Sequence, residues 1–198
     1  MIGIIGIGAM GGAIARGLIA AGAAPGELVV YSADVEANAR FVRETGAKLA
    51  YSNVDLVERA GDGAIVVVAV KPFAVGGVLD EIRKAAARRG SLIVSVAAGT
   101  PIEFLESRLE PGQPVVRTMP NMAAAVGASV TAYACNPAAE PRADDVADVL
   151  ASVGIAEPMA ENDFSAFSAI AGCSPAFTFG YIDAMARAAV KNGLPKAV

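Results

Sequence analysis

The chain has no histidine among its 198 residues, which settles several questions of chemistry at once. Ser-His and Cys-His nucleophile pairs are excluded. So are dehydrogenases that use an imidazole as acid and base, and any proton transfer falls to Lys, Tyr, Asp, Glu, Ser, Thr, Cys or water. Cysteine is scarce too. Cys135 and Cys173 are far apart and give neither a metal-ligand spacing nor a disulfide framework, so no metal is expected and a reducing, cytoplasmic compartment is. No cluster of Lys and Arg stands out, and 16 basic against 20 acidic residues leave a net charge of −4. A nucleic-acid partner therefore has no electrostatic footprint. No basic stretch precedes the first apolar run, so no signal peptide is expected. The uncharged run Phe164 to Ile182 carries Ser165, Ser168, Gly172, Ser174 and Pro175, which suit a packed protein interface better than a lipid-facing span; no membrane role is expected.

What is present is apolar and small. Hydrophobic residues make up 55% and charged residues 18%, with the excess in Ala, Val, Ile and Gly, the composition of helices packed on a buried sheet. A chain of this length buries about two-thirds of the surface its unfolded form exposes and needs no staples. Strands are predicted at Ile2–Ile7, Leu28–Tyr31, Lys48–Tyr51, Ala64–Val70, Leu92–Val96, Val115–Thr118 and Ser129–Ala134. Helices are predicted from the glycine turn to Ala21, at Val35–Thr45, Val54–Ala60, Val75–Arg89 and Arg142–Val153, and at Pro101–Leu109 with Thr100 as N-cap. The continuous apolar run at 64–70 is that of a strand covered on both faces. This alternation predicts an α/β fold with a doubly wound, mostly parallel sheet. The strand pattern stops near Pro158, and from Asn162 to Asn192 the sequence reads as helix with one interruption at Gly172–Pro175. A boundary near residue 160 follows, with units at 1–160 and 161–198.

The N-terminus carries the chemistry. Ile5-Gly6-Ile7-Gly8-Ala9-Met10-Gly11 fits G-x-G-x-x-G, a weak motif alone, but here it follows a strand and opens an Ala-rich helix. The three glycines serve a tight turn, room for a pyrophosphate and close helix–strand packing, and the helix N-terminus offers N–H groups to the phosphates. The plain alternative is a turn that only packs well. At the end of the second strand an NAD site usually places a carboxylate; here Tyr31-Ser32-Ala33 comes first and Asp34 is late. Ser32 can donate to a 2′-phosphate, and Arg40 lies one or two helical turns on, which favours NADP with NAD left open. Helix capping before Val35 competes as an explanation for Ser32 and Asp34.

At this point an ordered set of segments resembles the pyrroline-5-carboxylate reductase family: Ile2 to Leu18, Val70-Lys71-Pro72, Ser95 to Gly99, Arg117-Thr118-Met119-Pro120-Asn121, Ala171 to Phe177, Asp183-Ala184 and Val190 to Pro195. The resemblance implies a Rossmann sheet followed by the start of an all-helical dimerisation domain. It implies reduction of the C=N bond of 1-pyrroline-5-carboxylate to L-proline with NAD(P)H, a homo-oligomer formed through the helix around 164–192, and a cyclic imine as small-molecule partner. It assigns Ala69, Val70, Lys71 and Pro72 to the cofactor's ribose and pyrophosphate, Asn53 to the adenosine ribose, and Val96, Ala97 and Ala98 to the nicotinamide. For the substrate it points to Met119, Pro120, Asn121, Cys173, Ser174 and Pro175, with Cys173 and Ser174 at a helix break whose free N–H groups can meet a carboxylate. No catalytic acid is singled out.

Each of these residues also has an ordinary structural role: a solvated Lys71, an Asn53 N-cap, close packing at 96–98, a turn at Asn121, and a packing notch at 172–175 with a buried, inert Cys173. The chain departs from the family's G-S-G-P-A stretch at Cys173 and Ser174. Family members continue beyond the position of Val198 with further helices and a Ser-Pro-Gly-Gly-Thr substrate loop, so a C-terminally truncated chain, incomplete as a catalyst, is the expectation. Two alternatives stay open. One is a 3-hydroxyacid dehydrogenase-like enzyme, which needs a lysine on the long helix where Phe164 to Ile182 has none. The other is a non-catalytic dinucleotide-binding or oligomerisation protein.

Overall fold

The computed structural model describes residues 1–195; the last three residues of the expected 161–198 unit lie outside the described residues. The chain opens with β1 (Ile2–Ile5), α1 (Ala9–Ala20), β2 (Leu28–Tyr31), α2 (Val35–Thr45), β3 (Lys48–Leu49), α3 (Asn53–Ala60), β4 (Ile65–Val68) and α4 (Pro72–Arg89). It continues with β5 (Leu92–Ser95), α5 (Ile102–Ser107), β6 (Val115–Met119), β7 (Ser129–Cys135), α6 (Ala143–Ala151) and β8 (Gly154–Pro158). A short α7 (Phe164–Phe167), a π-helical segment (Ser168–Cys173) and the long α8 (Ser174–Lys191) follow.

The strands form one sheet in the order β3-β2-β1-β4-β5-β6-β7-β8. All neighbours are parallel except β6 and β7, which are antiparallel. Strand alternation sends neighbouring residues to opposite faces. Ile4, Val30, Val67 and Val94 face a core shared with Ile14 of α1, Phe41 of α2 and Leu150 of α6. Ile5, Val29, Val66, Val68 and Ile93 face a second core with Leu56 of α3, Leu79 and Ile82 of α4, and Leu105 of α5. With helices on both faces, every residue of β4 and of β5 is buried, which is why their sequences are apolar except at Ser95. No helix among the described residues is long and apolar enough to cross a membrane.

Several expected boundaries move. The strands read to Ile7, Tyr51, Val70 and Val96 end at Ile5, Leu49, Val68 and Ser95, because the chain leaves the ladder there while its side chains remain apolar. Helix α4 starts at Pro72 rather than Val75, with the proline in the first turn, where its missing N–H costs nothing. Helix α3 starts at Asn53, and the N-cap is Ser52, whose hydroxyl accepts from the Asp55 N–H. Thr100 is not the cap of α5: its hydroxyl turns back and donates to the Ala97 carbonyl at 2.7 Å, and Pro101 takes the cap position. Strand β8 lies beyond the last expected strand. It is a half-exposed edge strand ending in a proline, a position that needs no ladder donor, so it shows no apolar alternation.

Candidate functional site

The chain turns from β1 into α1 and β2 on one side of the sheet, and from β3 across to β4 on the other side of β1. Crossovers that diverge in this way leave a crevice at the carboxyl ends of β1 and β4, the place where open α/β sheets take ligands. A cleft of about 830 Å³ occupies it. Gly6 sits at its base. The Gly6 N–H donates to the Tyr31 carbonyl (2.7 Å) and the Ala69 N–H to the Ile5 carbonyl (2.8 Å), so the turn is tied to β2 and β4 at once. Gly6 has φ +92°, and a Cβ there would fall 2.6 Å from the Ala69 oxygen. A Cβ at Gly11 would fall 1.9 Å from the Gly6 oxygen. These two glycines serve the protein's own packing.

Gly8 is different. It is exposed at the N-cap of α1, and a Cβ there would meet nothing within 4 Å. It has no side chain to cap the helix, and a helical bond from the Gly12 N–H (2.8 Å) reaches back only to its carbonyl. The amides of the first turn therefore face outward with the positive end of the helix dipole behind them, a fit for a pyrophosphate.

The structure brings nearly all the residues expected at the cofactor into this one cleft: Ile5, Gly6, Gly8, Ala9, Met10, Ser32, Asn53, Ala69, Val70, Lys71, Pro72, Val96, Ala97 and Ala98. Ile7 and Gly11 do not line it. Ile7 is turned into the core beside α1, and Gly11 is buried against the turn. At the β2 end the two candidates separate. The Asp34 carboxylate caps α2 by accepting from the Ala37 N–H (2.9 Å). Ser32 is not the cap; it lines the cleft, its hydroxyl accepts a long bond from the Asp34 N–H (3.3 Å), and its carbonyl is held by Asn38 Nδ2 (2.7 Å). Arg40 lines a smaller hollow that shares Gly8 and Ala9 with the cleft. Lys71 is exposed at the N-cap of α4 and makes no ion pair among the described residues.

The expected substrate residues lie at the same carboxyl edge, one strand on. Ser95 of β5 pairs with Arg117 of β6, so Met119, Pro120 and Asn121 leave β6 beside Val96 to Ala98. Asn121, Ser174 and Pro175 meet in an apolar groove of about 630 Å³ with Phe167, Ile170 and Phe179. Cys173 is exposed and outside both hollows.

The expected helix break at Gly172–Pro175 does not form. The backbone stays helical, widened into the π segment, and the Ser174 N–H donates to the Ile170 carbonyl, so no free amide pair awaits an anion there. Pro175 is the physical reason for the irregularity. It has no N–H to give to Ala171 four residues back, and its ring would crowd that carbonyl in a regular helix. The Ala171 oxygen instead accepts from Asn121 Nδ2 at 3.1 Å. Asn121 Oδ1 accepts from the Ala123 N–H (3.2 Å), so both arms of this amide are committed within the chain.

Some contributors had no local signal. Phe73, Gly77 and Glu81 line the cleft on one stripe of α4, and nothing in their residue types marks that stripe as facing a ligand. Glu161 accepts from both Arg117 (2.9 Å) and the Ile102 N–H (2.8 Å), and Arg117 stacks over Phe164 at 4.6 Å. One carboxylate thus ties β6, α5 and the start of the helical segment together. Burial, with Glu140 nearby, pushes the Cys135 thiol up to about 11, which keeps it unreactive at neutral pH.

Comparison with known proteins agrees with this geometry. Residues 1–99 match the family model described as NADP oxidoreductase coenzyme F420-dependent, and residues 161–198 match that of pyrroline-5-carboxylate reductase dimerisation. The pyrroline-5-carboxylate reductase of Mycobacterium leprae is 39% identical over 202 residues, covering 100% of this chain and 67% of its own. The solved structure of the Coxiella burnetii pyrroline-5-carboxylate reductase superposes with a TM-score of 0.91 at 27% identity, over 99% of this chain and 72% of that one. The Plasmodium falciparum pyrroline carboxylate reductase, solved with NADP bound, gives 0.86 at 30% identity, over 99% of this chain and 71% of that one.

Proposed function

The chain belongs to the pyrroline-5-carboxylate reductase family, and from that premise we propose that it reduces the C=N bond of 1-pyrroline-5-carboxylate to L-proline with NADPH, NADH remaining a usable donor. The observation that carries the reading is the open glycine turn at the switch point, where Gly8 leaves space that no atom of the described residues fills. A bound nicotinamide dinucleotide supplies the hydride. The chain supplies position: first-turn amides of α1 for the pyrophosphate, Ser32 and Asn53 for the adenosine ribose, Lys71 for charge, and Val96 to Ala98 as a flat wall of small residues for the nicotinamide. The Met119–Asn121 turn and the Ser174–Pro175 helix wall stand on the substrate side. With no histidine present, the imine proton comes from another side chain, from solvent or with the substrate. The 161–198 unit associates with a second copy of the chain, and the working compartment is the cytoplasm.

The test is imine-dependent oxidation of NAD(P)H by the purified chain. Cofactor binding without any imine-dependent turnover would overturn the catalytic reading in favour of a non-catalytic dinucleotide-binding protein. A second expected result concerns cofactor choice. Ser32→Asp puts a carboxylate where a 2′-phosphate would lie, and repulsion in a partly exposed site is worth about 1–2 kcal/mol. The ratio of NADP to NAD affinity measured by calorimetry should fall by roughly 5- to 30-fold. An unchanged ratio would assign the preference elsewhere.

A further inference from the structure

The cleft holds one polar contact between side chains that cofactor binding alone does not account for. Asn53, at the first residue of α3, donates through Nδ2 to Glu81 Oε2 of α4 at 2.7 Å, across 28 residues of sequence. Both residues line the cleft. Neither is needed to finish its helix: Ser52 caps α3, and Glu81 lies in the middle of α4. The contact joins two helices across the cleft wall on the side of the β2 end, where a dinucleotide places its adenosine ribose.

The two arms of a carboxamide diverge from one carbon, so committing one arm fixes what the other offers. With one Nδ2 N–H given to Glu81 the rotation of the amide is fixed, and its carbonyl oxygen, which accepts no hydrogen bond among the described residues, is the acceptor it offers a ligand in the cleft. A ribose hydroxyl can donate to an acceptor. A 2′-phosphate at neutral pH carries charged oxygens and is repelled by one. We propose that Glu81 is a positioning residue that sets cofactor choice through Asn53: it holds the amide in the orientation that reads a hydroxyl and so tempers the preference for NADP that Ser32 gives. The inference rests on the dinucleotide reading of the cleft, but not on turnover.

The experiment is calorimetric titration of NADP and NAD into the wild-type chain, Glu81→Ala, Glu81→Gln, Asn53→Ala and the double variant Glu81→Ala/Asn53→Ala, each checked for an unchanged melting temperature. Glu81→Ala frees the amide to turn its N–H groups to the 2′-phosphate. The affinity ratio should then move toward NADP by about 3- to 10-fold, the worth of one hydrogen bond. Glu81→Gln keeps an acceptor for Nδ2 and should hold the wild-type ratio. In the Asn53→Ala background the Glu81 substitution should have no effect on the ratio, since a coupled pair loses its coupling when either member is gone.

An unmoved ratio in Glu81→Ala overturns the proposal. So does a Glu81→Gln ratio equal to that of Glu81→Ala, which would show direct charge repulsion, or an effect that survives in Asn53→Ala. Wild type that binds neither cofactor overturns the dinucleotide reading and this inference with it. Wild type that binds both without reducing an imine overturns only the catalytic reading.

Discussion

Gly8→Asp is expected to abolish dinucleotide binding while leaving the melting temperature of the chain unchanged. The two halves of this expectation have separate causes. A Cβ at Gly8 meets no atom within 4 Å, and the residue is exposed with φ −70°, so a side chain is tolerated by the fold. Aspartate is also a good N-cap and carries a charge that suits the helix N-terminus. The same carboxylate, however, would occupy the anion position that the first-turn amides offer. Against a pyrophosphate at about 4–5 Å its repulsion is of order 3 kcal/mol, a loss of 100-fold or more in affinity. Gly11→Ala is the contrasting variant. Its methyl would fall 1.9 Å from the Gly6 oxygen, so β1 and α1 must separate. That overpacking costs about 1–3 kcal/mol or more of stability before any ligand is considered. Calorimetry and thermal melting on both variants decide the matter. Retained affinity in Gly8→Asp would remove the pyrophosphate from this turn, and an unchanged melting temperature in Gly11→Ala would contradict the close approach.

The contrast between these glycines also shows what a sequence can and cannot disclose here. The G-x-G-x-x-G spacing is local, and the strand before it and helix after it are local, so the turn and the close packing at Gly6 and Gly11 are legible. β2 and α2 were read with correct ends because punctuation fixes them: Asp34 caps the helix and Gly46, at φ +75°, closes it. The strand read from Ala64 to Val70 overshot for a reason tied to the site. Ala69 and Val70 stay apolar after leaving the ladder because they form a cleft wall, and a periodicity argument cannot separate a buried strand from an apolar wall.

What was not legible is long-range. The Asn53–Glu81 contact spans 28 residues and the Asn121–Ala171 contact spans 50. Either asparagine, seen alone, reads as a cap or a turn. Gly172 and Pro175 are breakers in isolation, so the sequence reads as a break where the π segment runs on into α8. Only the orphaned Ala171 carbonyl, and the Asn121 that satisfies it, show that the helix continues through them.

Replacing Ile182 and Met185 together with glutamate is expected to shift the chain from an assembly to a monomer. Helix α8 has 18 residues, and none of them is buried. Phe177 is 73% exposed, Tyr181 68%, Ile182 56% and Met185 57%, and these four share one side of the helix. Scattered apolar residues on a surface need no explanation, but a contiguous set along a helix of about 27 Å marks an interaction face. Burying a side chain of this size contributes about 1.5–3 kcal/mol. Ile182 and Met185 are three apart and therefore neighbours on one face. Two charges placed there must be desolvated in any apolar contact, which raises the dissociation constant by 100-fold or more. The match of residues 161–198 to a dimerisation family directs the choice of occupant to a second copy of the chain. Light scattering at tens of micromolar reads the result against the chain mass of 19.9 kDa. A wild-type chain that runs at that mass, or a double variant that keeps the assembled mass, would place the interface elsewhere. Far-ultraviolet dichroism of the variant separates loss of association from loss of the helix: association through this face predicts that α8 keeps its helical signal in a regular glutamate-bearing helix while the mass falls.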